Sequence, residues 1–304
     1  RTAHGTDAEQ VAVWQARADL MTPIAKAWCT EAAQETTSLG IQVHGGMGYV
    51  EETGVAQFYR DARIASIYEG TNGIQAIDLV GRKVLRDGGA TVSSFVTDMR
   101  SVDAPLANAG DEFAVVRKAL ARGLDELVQC STYLLTAERK DPELAGAAAF
   151  DYMMLLGTVI GGRQLARGAL AALDELNAGA EDKPFLQAQV VMAKFYAEHV
   201  LPRCTAYAAA VQAGSASTMA LAGSWLISTT RLPRRVSRRW SIFLPTTMPW
   251  SSLPSRKWPA TMSSVLKPRA TSLVGSTPSK KTPRLSYSLE IIAGTLTRLP
   301  QALT

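Results

Sequence analysis

Three histidines and three cysteines among 304 residues leave little material for metal or thiol chemistry. His4, His44 and His199 have no ligand-type partners at metal-binding spacing, so no metal site is expected. Cys29, Cys130 and Cys204 are odd in number and far apart, which excludes a disulfide framework. Each sits inside a helical pattern with no histidine or basic cluster beside it. That fits reduced thiols in a cytoplasmic protein better than a catalytic cysteine. Long hydrophobic runs are also missing: the longest apolar stretch, residues 153–160, is too short to span a bilayer. The first 40 residues hold no charged-then-apolar signal pattern, and the chain starts at Arg1 without an initiator methionine, which reads as a fragment.

Strand signals are nearly absent from the first 214 residues, which leaves helices. Thr6 to Glu9 has the spacing of a capping box, and Val11, Trp14, Leu20, Ile24 and Trp28 recur at near-helical intervals before Gly40. A loop through Gly45, Gly46 and Gly48 leads to a shorter helical stretch over residues 58–64. Thr71 or Asn72 can cap the next helix, whose apolar stripe Ile74, Ile77, Val80 and Val84 stops at Gly88 and Gly89. After a looser region over residues 101–110, Asp111 can cap a helix with Phe113, Val116, Leu120, Leu124 and Leu127 on one face. Asp141 followed by Pro142 reads as a cap and first-turn proline opening a long helix to about Leu176. Pro184 opens another, carrying Phe185, Val191, Phe195 and Tyr196, and Pro202 kinks or ends it. The expected fold is all-α, an antiparallel bundle in two parts, residues 1–95 and an additional module over 108–214.

Acidic residues almost vanish after residue 214. Residues 1–214 carry 19 Lys+Arg against 26 Asp+Glu, whereas residues 215–304 carry 13 against Glu290 alone. The same 90 residues hold nine of the 14 prolines and four of the six tryptophans. A basic run with tryptophan, residues 231–240, fits nucleic acid or an anionic membrane. The repeated prolines break any amphipathic membrane helix, so a membrane partner is not expected. With caps and periodicity both lost, the tail reads as irregular, in the manner of translation in a shifted frame.

Chemistry concentrates in residues 42–75, QVHGGMGYVEETGVAQFYRDARIASIYEGTNGIQ. Glu69 stands between Tyr68 and Gly70 just before a helix, where a carboxylate can serve as a general base or simply suit the positive helix end. Glycines at 45, 46 and 48 let a backbone approach a ligand closely, and their amides can meet a pyrophosphate; equally they make a helix-to-helix turn. Asp61 and Arg63 read as a structural ion pair, and Tyr49 and Tyr68 as packing residues beside a cavity. His44 can touch a ligand of the loop or be packed or solvated.

Three blocks in this order and spacing resemble the C-terminal helical domain of acyl-CoA dehydrogenases: Gln42 to Tyr49, Tyr59 to Ile64, and Tyr68 to Gln75. The likeness to the general family covers roughly residues 8–88. Residues 111–214 resemble the extra helical region of a longer subgroup, the 3-methylmercaptopropionyl-CoA dehydrogenase-like proteins. The resemblance implies FAD as cofactor, an acyl-CoA substrate, an electron-transfer flavoprotein as partner and a homodimer. It makes Glu69 the base that takes the α-proton as hydride leaves the β carbon for flavin, with the Glu69 backbone N–H on the thioester carbonyl. Gln42, Val43, His44, Gly45 and Gly46 match contacts to FAD, usually the neighbouring subunit's; Thr71, Asn72 and Gly73 match FAD contacts at a helix N-terminus; Gly70 matches a position beside the substrate. The family's other two domains, which close the flavin pocket, are missing from this sequence. Two rival expectations stand beside this one: a non-enzymatic helical assembly module in the truncated form, and a nucleic-acid binder acting through the tail.

Overall fold

A computed structural model describes residues 8–221, with side chains described from residue 10; the Thr6 cap and nearly all of the basic tail lie outside that range. No strand occurs among the described residues. Ten α-helices follow one another: α1 (Ala8–Val43), α2 (Gly46–Tyr49), α3 (Val55–Ala65), α4 (Asn72–Asp78), α5 (Ala90–Arg100), α6 (Asp103–Asn108), α7 (Ala114–Ala137), α8 (Leu144–Asn177), α9 (Lys183–His199) and α10 (Arg203–Gln212). Residues 1–220 make one compact unit.

Helix α8 is its axis, packed against α1, α4, α7, α9 and α10. Residues 155–160 are all buried, as an apolar run with no polar face requires. By length and composition α8 alone among the described helices could cross a membrane, with a mean hydropathy of 1.5; yet 61% of that window is buried by its neighbours. It is used as a core helix. On α7, Val116, Leu120, Leu124 and Leu127 all point inward as their spacing demands, each Leu contributing about 1.5–3 kcal/mol by leaving water. Tyr152 on α8 is fully buried, with its hydroxyl 2.8 Å from Ser131 Oγ on α7, so the polar tip is satisfied inside the core.

Helix α1 docks on α8 through Trp28, whose ring lies over Gly157. Any Cβ at 157 would collide with that ring, and Trp28 Nε1 donates to Thr158 Oγ1 at 3.2 Å. Tyr196 on α9 donates to the Thr158 carbonyl at 3.0 Å, so one turn of α8 anchors both neighbours. Further out, Arg203 of α10 grips Glu35 of α1 through two 2.7 Å bonds, and Arg163 of α8 donates to Asp98 of α5 at 2.9 Å.

Several local expectations need correction. Asp141 does not cap α8, which starts at Leu144 behind Glu143; its carboxylate instead accepts from Ser215 N (3.2 Å) and Oγ (2.7 Å). Asp111 opens a short 3-10 turn, Asp111–Phe113, without a side-chain cap. The loose region over 101–110 contains α6, and α5 before it has no counterpart among the expected helices. Past α4 the helix widens into a π-helical stretch, Leu79–Leu85. Its wider turn lets Leu79, Val80 and Val84 all face the core while Ile74 and Ile77 are exposed. Of the apolar residues noted on α9, Phe185, Val191 and Phe195 are exposed, while Tyr196 packs against the core beside buried Leu186, Val190, Ala193 and Ala197. Pro184 does stand in the first turn, and the Asp182 side chain accepts from Phe185 N at 3.3 Å.

Candidate functional site

Two neighbourhoods hold the singled-out residues, and both border α1. The first is its C-terminal end. Gly45 N donates to the Gln42 carbonyl and Gly48 N to the Gly45 carbonyl, each at 3.0 Å, which curls the chain into α2. Gly45 takes φ +58°, and a Cβ on Gly48 would run into the Ile41 carbonyl, so the turn depends on both glycines. Gln42, Val43, His44, Gly45 and Gly46 are all exposed, and nothing within 4 Å would meet a Cβ at 45 or 46. The backbone there is open to a ligand. His44 Nδ1 lies 2.9 Å from the Gly40 carbonyl, which can only accept, so that nitrogen carries the proton.

The second neighbourhood is the turn between α3 and α4. Tyr68 N donates to the Ile64 carbonyl (3.1 Å) and Asn72 N to the Ser66 carbonyl (3.2 Å), so the chain doubles back over Glu69 and Gly70. Glu69 takes φ +55°, a left-handed conformation otherwise seen only at glycines among the described residues, and Gly70 follows at φ +90°. A non-glycine residue there is strained and persists where its surroundings over-determine it. The Glu69 side chain is exposed. Thr71 is the N-cap of α4, its hydroxyl accepting from Ile74 N at 3.5 Å, as expected.

Asn72 is buried at 4% exposure and its amide is turned into α1. Its Oδ1 accepts from Lys26 Nζ (2.9 Å), and its Nδ2 donates to Glu31 Oε1 (2.7 Å), Thr30 Oγ1 (2.9 Å) and the Ala27 carbonyl (3.3 Å). Lys26 Nζ also donates to the Gly70 carbonyl at 2.6 Å. Burial pulls the Lys26 pKa below the ordinary lysine value, opposed by the nearby carboxylates of Glu31 and Glu69. The amide of Asn72 is thus committed within the chain. Thr71 and Gly73 stay exposed. Lys26, Thr30 and Glu31 were not singled out in the sequence; the one available signal was a lone cation inside the apolar run of residues 23–28, PIAKAW.

The structure does not unite the two neighbourhoods. Lys26 and Gln42 are 16 residues apart on one helix, or about 24 Å along its axis. Asp61 and Arg63 do not pair with each other: Gln57 Nε2 donates to Asp61 at 2.5 Å, and Arg63 donates to Ser66 Oγ at 3.2 Å. Tyr49 is not a packing residue within this chain, being 80% exposed, and Tyr68 is partly exposed. Val43, Met47, Ile64, Ile67, Ile74 and Ile77, spread from the end of α1 to α4, are exposed apolar residues as well.

One helical bundle thus carries an open glycine turn at residues 45–46 and a carboxylate on a strained turn at Glu69. Residues 1–85 match the family described as acyl-CoA dehydrogenase, C-terminal domain, and residues 90–222 the one described as acetyl-CoA dehydrogenase C-terminal like. Over 210 residues the chain is 46% identical to 3-methylmercaptopropionyl-CoA dehydrogenase of Ruegeria pomeroyi, covering 67% of this chain and 34% of that protein. It is 32% identical over 209 residues to the broad-specificity linear acyl-CoA dehydrogenase FadE5 of Mycobacterium tuberculosis, covering 66% and 34%. A stretch of 58 residues is 48% identical to the mitochondrial short-chain specific acyl-CoA dehydrogenase of Rattus norvegicus, covering 19% and 14%. The chain belongs to the acyl-CoA dehydrogenase family, matching its C-terminal domains, and spans about a third of the length of the two longer-matching relatives.

Proposed function

We propose that this chain supplies the catalytic base of an FAD-dependent acyl-CoA dehydrogenase, which oxidises an acyl-CoA thioester to the trans-2-enoyl-CoA. The observation that carries the reading is the turn at Glu69, a strained carboxylate position tied to α1 within the three blocks that mark the family. Glu69 takes the α-proton, and its backbone N–H donates to the thioester carbonyl, steadying the negative charge that develops there. Gly70, left-handed and partly open, gives the substrate room beside the base. A bound FAD would supply the acceptor for the β-hydride, with an electron-transfer flavoprotein as the partner that reoxidises it. The residues fit such a cofactor in two places. Open glycines at 45 and 46, with Gln42, Val43 and His44, would hold its pyrophosphate end, and exposed Thr71 and Gly73 would meet it at the start of α4; Asn72 would contribute through its fold rather than its amide. The distance of about 24 Å along α1 from Lys26, which holds the Glu69 turn, to Gln42 supports a dimer in which residues 42–46 serve the neighbour's cofactor. The 46% identity to the Ruegeria pomeroyi protein favours a 3-methylmercaptopropionyl-CoA-like substrate.

The experiment joins residues 8–221 to the preceding domains of that relative. Glu69→Gln should bind FAD, seen by its visible absorbance, and lose at least about 100-fold in kcat; wild-type turnover would sink the base assignment. A second reading, a helical assembly module when the 304-residue chain stands alone, is favoured by the exposed apolar residues of α1 to α4. Stoichiometric flavin absorbance in the purified chain would count against it.

A further inference from the structure

We propose that Lys26 is a positioning residue for Glu69: by holding the Gly70 carbonyl and the Asn72 amide at once, it fixes the strained turn that presents the carboxylate. The proposal rests on Glu69 being the base, as read above.

The turn itself lacks a local reason to be where it is. Glu69 and Gly70 are consecutive left-handed residues, and the first has a Cβ that opposes that conformation. Local bonds flank it, Tyr68 N to the Ile64 carbonyl before and Asn72 N to the Ser66 carbonyl after, but these leave the Gly70 peptide unheld. The missing restraint comes from α1. Lys26 Nζ reaches the Gly70 carbonyl at 2.6 Å, the carbonyl one residue beyond Glu69, and Asn72 Oδ1 at 2.9 Å.

Asn72 then locks the same corner a second time. Its amide has one acceptor and one donor end, and the flanking charges choose which way it faces. The Lys26 ammonium takes the oxygen, and the Glu31 carboxylate takes the NH2 at 2.7 Å. Thr30 Oγ1, buried and 2.9 Å from Nδ2, closes the ring of partners. Removing Lys26 leaves the Gly70 carbonyl without its donor and Asn72 Oδ1 with only the longer 3.2 Å bond from Thr30 Oγ1. Since misplacement by about 1 Å costs on the order of 100-fold in rate, this corner governs turnover more than binding.

Two measurements test the assignment. In the 304-residue chain, Lys26→Met should speed amide hydrogen exchange over residues 66–73 by at least about tenfold while amides of α8 keep their wild-type rates. In the assembled dehydrogenase, it should lower kcat by roughly 10- to 100-fold with KM within about threefold, and Lys26→Arg should restore most of both. Unchanged exchange and unchanged kcat overturn the proposal, as does a rise in α8 exchange equal to that of the turn, which marks general destabilisation. Should Lys26→Met not fold, Lys26→Leu, which also has no donor, gives the same readouts, and wild-type behaviour there is equally fatal. Retained activity in Glu69→Gln would overturn the base reading separately, and the exchange measurement would still decide whether Lys26 holds the turn.

Discussion

Trp28 and Gly157 show how a single pair sets the spacing of two helices. The ring occupies the volume that any side chain at 157 would need, and its Nε1 bond to Thr158 prevents it from backing away. Gly157→Ala should therefore destabilise the protein by about 1–3 kcal/mol, the usual cost of overpacking. Gly168, exposed on the same helix with nothing within 4 Å of the place a methyl group would occupy, is the control. There an alanine should stabilise by up to about 1 kcal/mol through helix propensity alone. Urea midpoints of the two variants should move in opposite directions; a shift of the same sign would mean that Trp28 is not wedged. Little of this was readable beforehand. Trp28 was recognised as apolar and periodic, but its partner lies 130 residues away. Asn72 likewise took its place in the sequence from the family motif, whereas the partners of its amide are 41 to 46 residues upstream and share no local pattern with it.

Helices were legible where one rule decides them and misread where two compete. On α7, the four- and three-residue spacing of Val116, Leu120, Leu124 and Leu127 leaves one solution, and that face is the buried one. On α9 the apolar residues divide: Phe185, Val191 and Phe195 are exposed, whereas Tyr196 packs against the core. That helix lies against α8 where a Cβ at Gly161 would meet the Tyr196 hydroxyl, so Tyr196 goes inward beside Ala193 and Ala197 while the phenylalanines go out. Packing volume, invisible to a hydrophobicity pattern, overrode the count of apolar side chains. Between elements, the clamp of Arg203 on Glu35 joins α10 to α1 with about half of each side chain still in solvent. Solvent screening limits such a pair to roughly 0.2–1 kcal/mol. The hydrogen bonds from Arg203 hold the Glu35 pKa below its ordinary 4.5. A depressed folded pKa means that the stabilisation is complete above pH 4.5 and fades as pH falls through the folded value. Glu35→Gln should thus cost a few tenths of a kcal/mol at pH 7, well below the effect of Gly157→Ala, and less at an acid pH below 4.5. Urea midpoints at the two pH values check this; a deficit undiminished in acid would show that the contact works by packing.

At the scale of the molecule, composition revealed the class and hid the unity of the core. Scarce strand signals and regular apolar spacing were enough for an all-α bundle, and three motif blocks were enough for the family. The division into residues 1–95 and 108–214 came from a weakly periodic stretch between them. Helix α5 lies across that stretch, with Val92, Val96 and Met99 buried in the same cluster as Leu20 and Ile24 of α1 and Leu155 and Val159 of α8. The two matched family regions, residues 1–85 and 90–222, therefore meet in one apolar cluster rather than across a wet boundary. An interior shared in this way predicts a single cooperative unit, because neither half can expose its side of the cluster without exposing the other's. Amides at Leu20, Ile24 and Ala27 in α1 and at Met153, Leu156 and Val159 in α8 should exchange through the same opening, with free energies within about 1 kcal/mol of each other and of the global value. Native-state hydrogen exchange at increasing urea should bring the six onto a common line. If the α1 amides exchange at clearly lower free energy, the N-terminal helices are a separate unit docked on the rest, and the site at Glu69 rides on the less stable of the two.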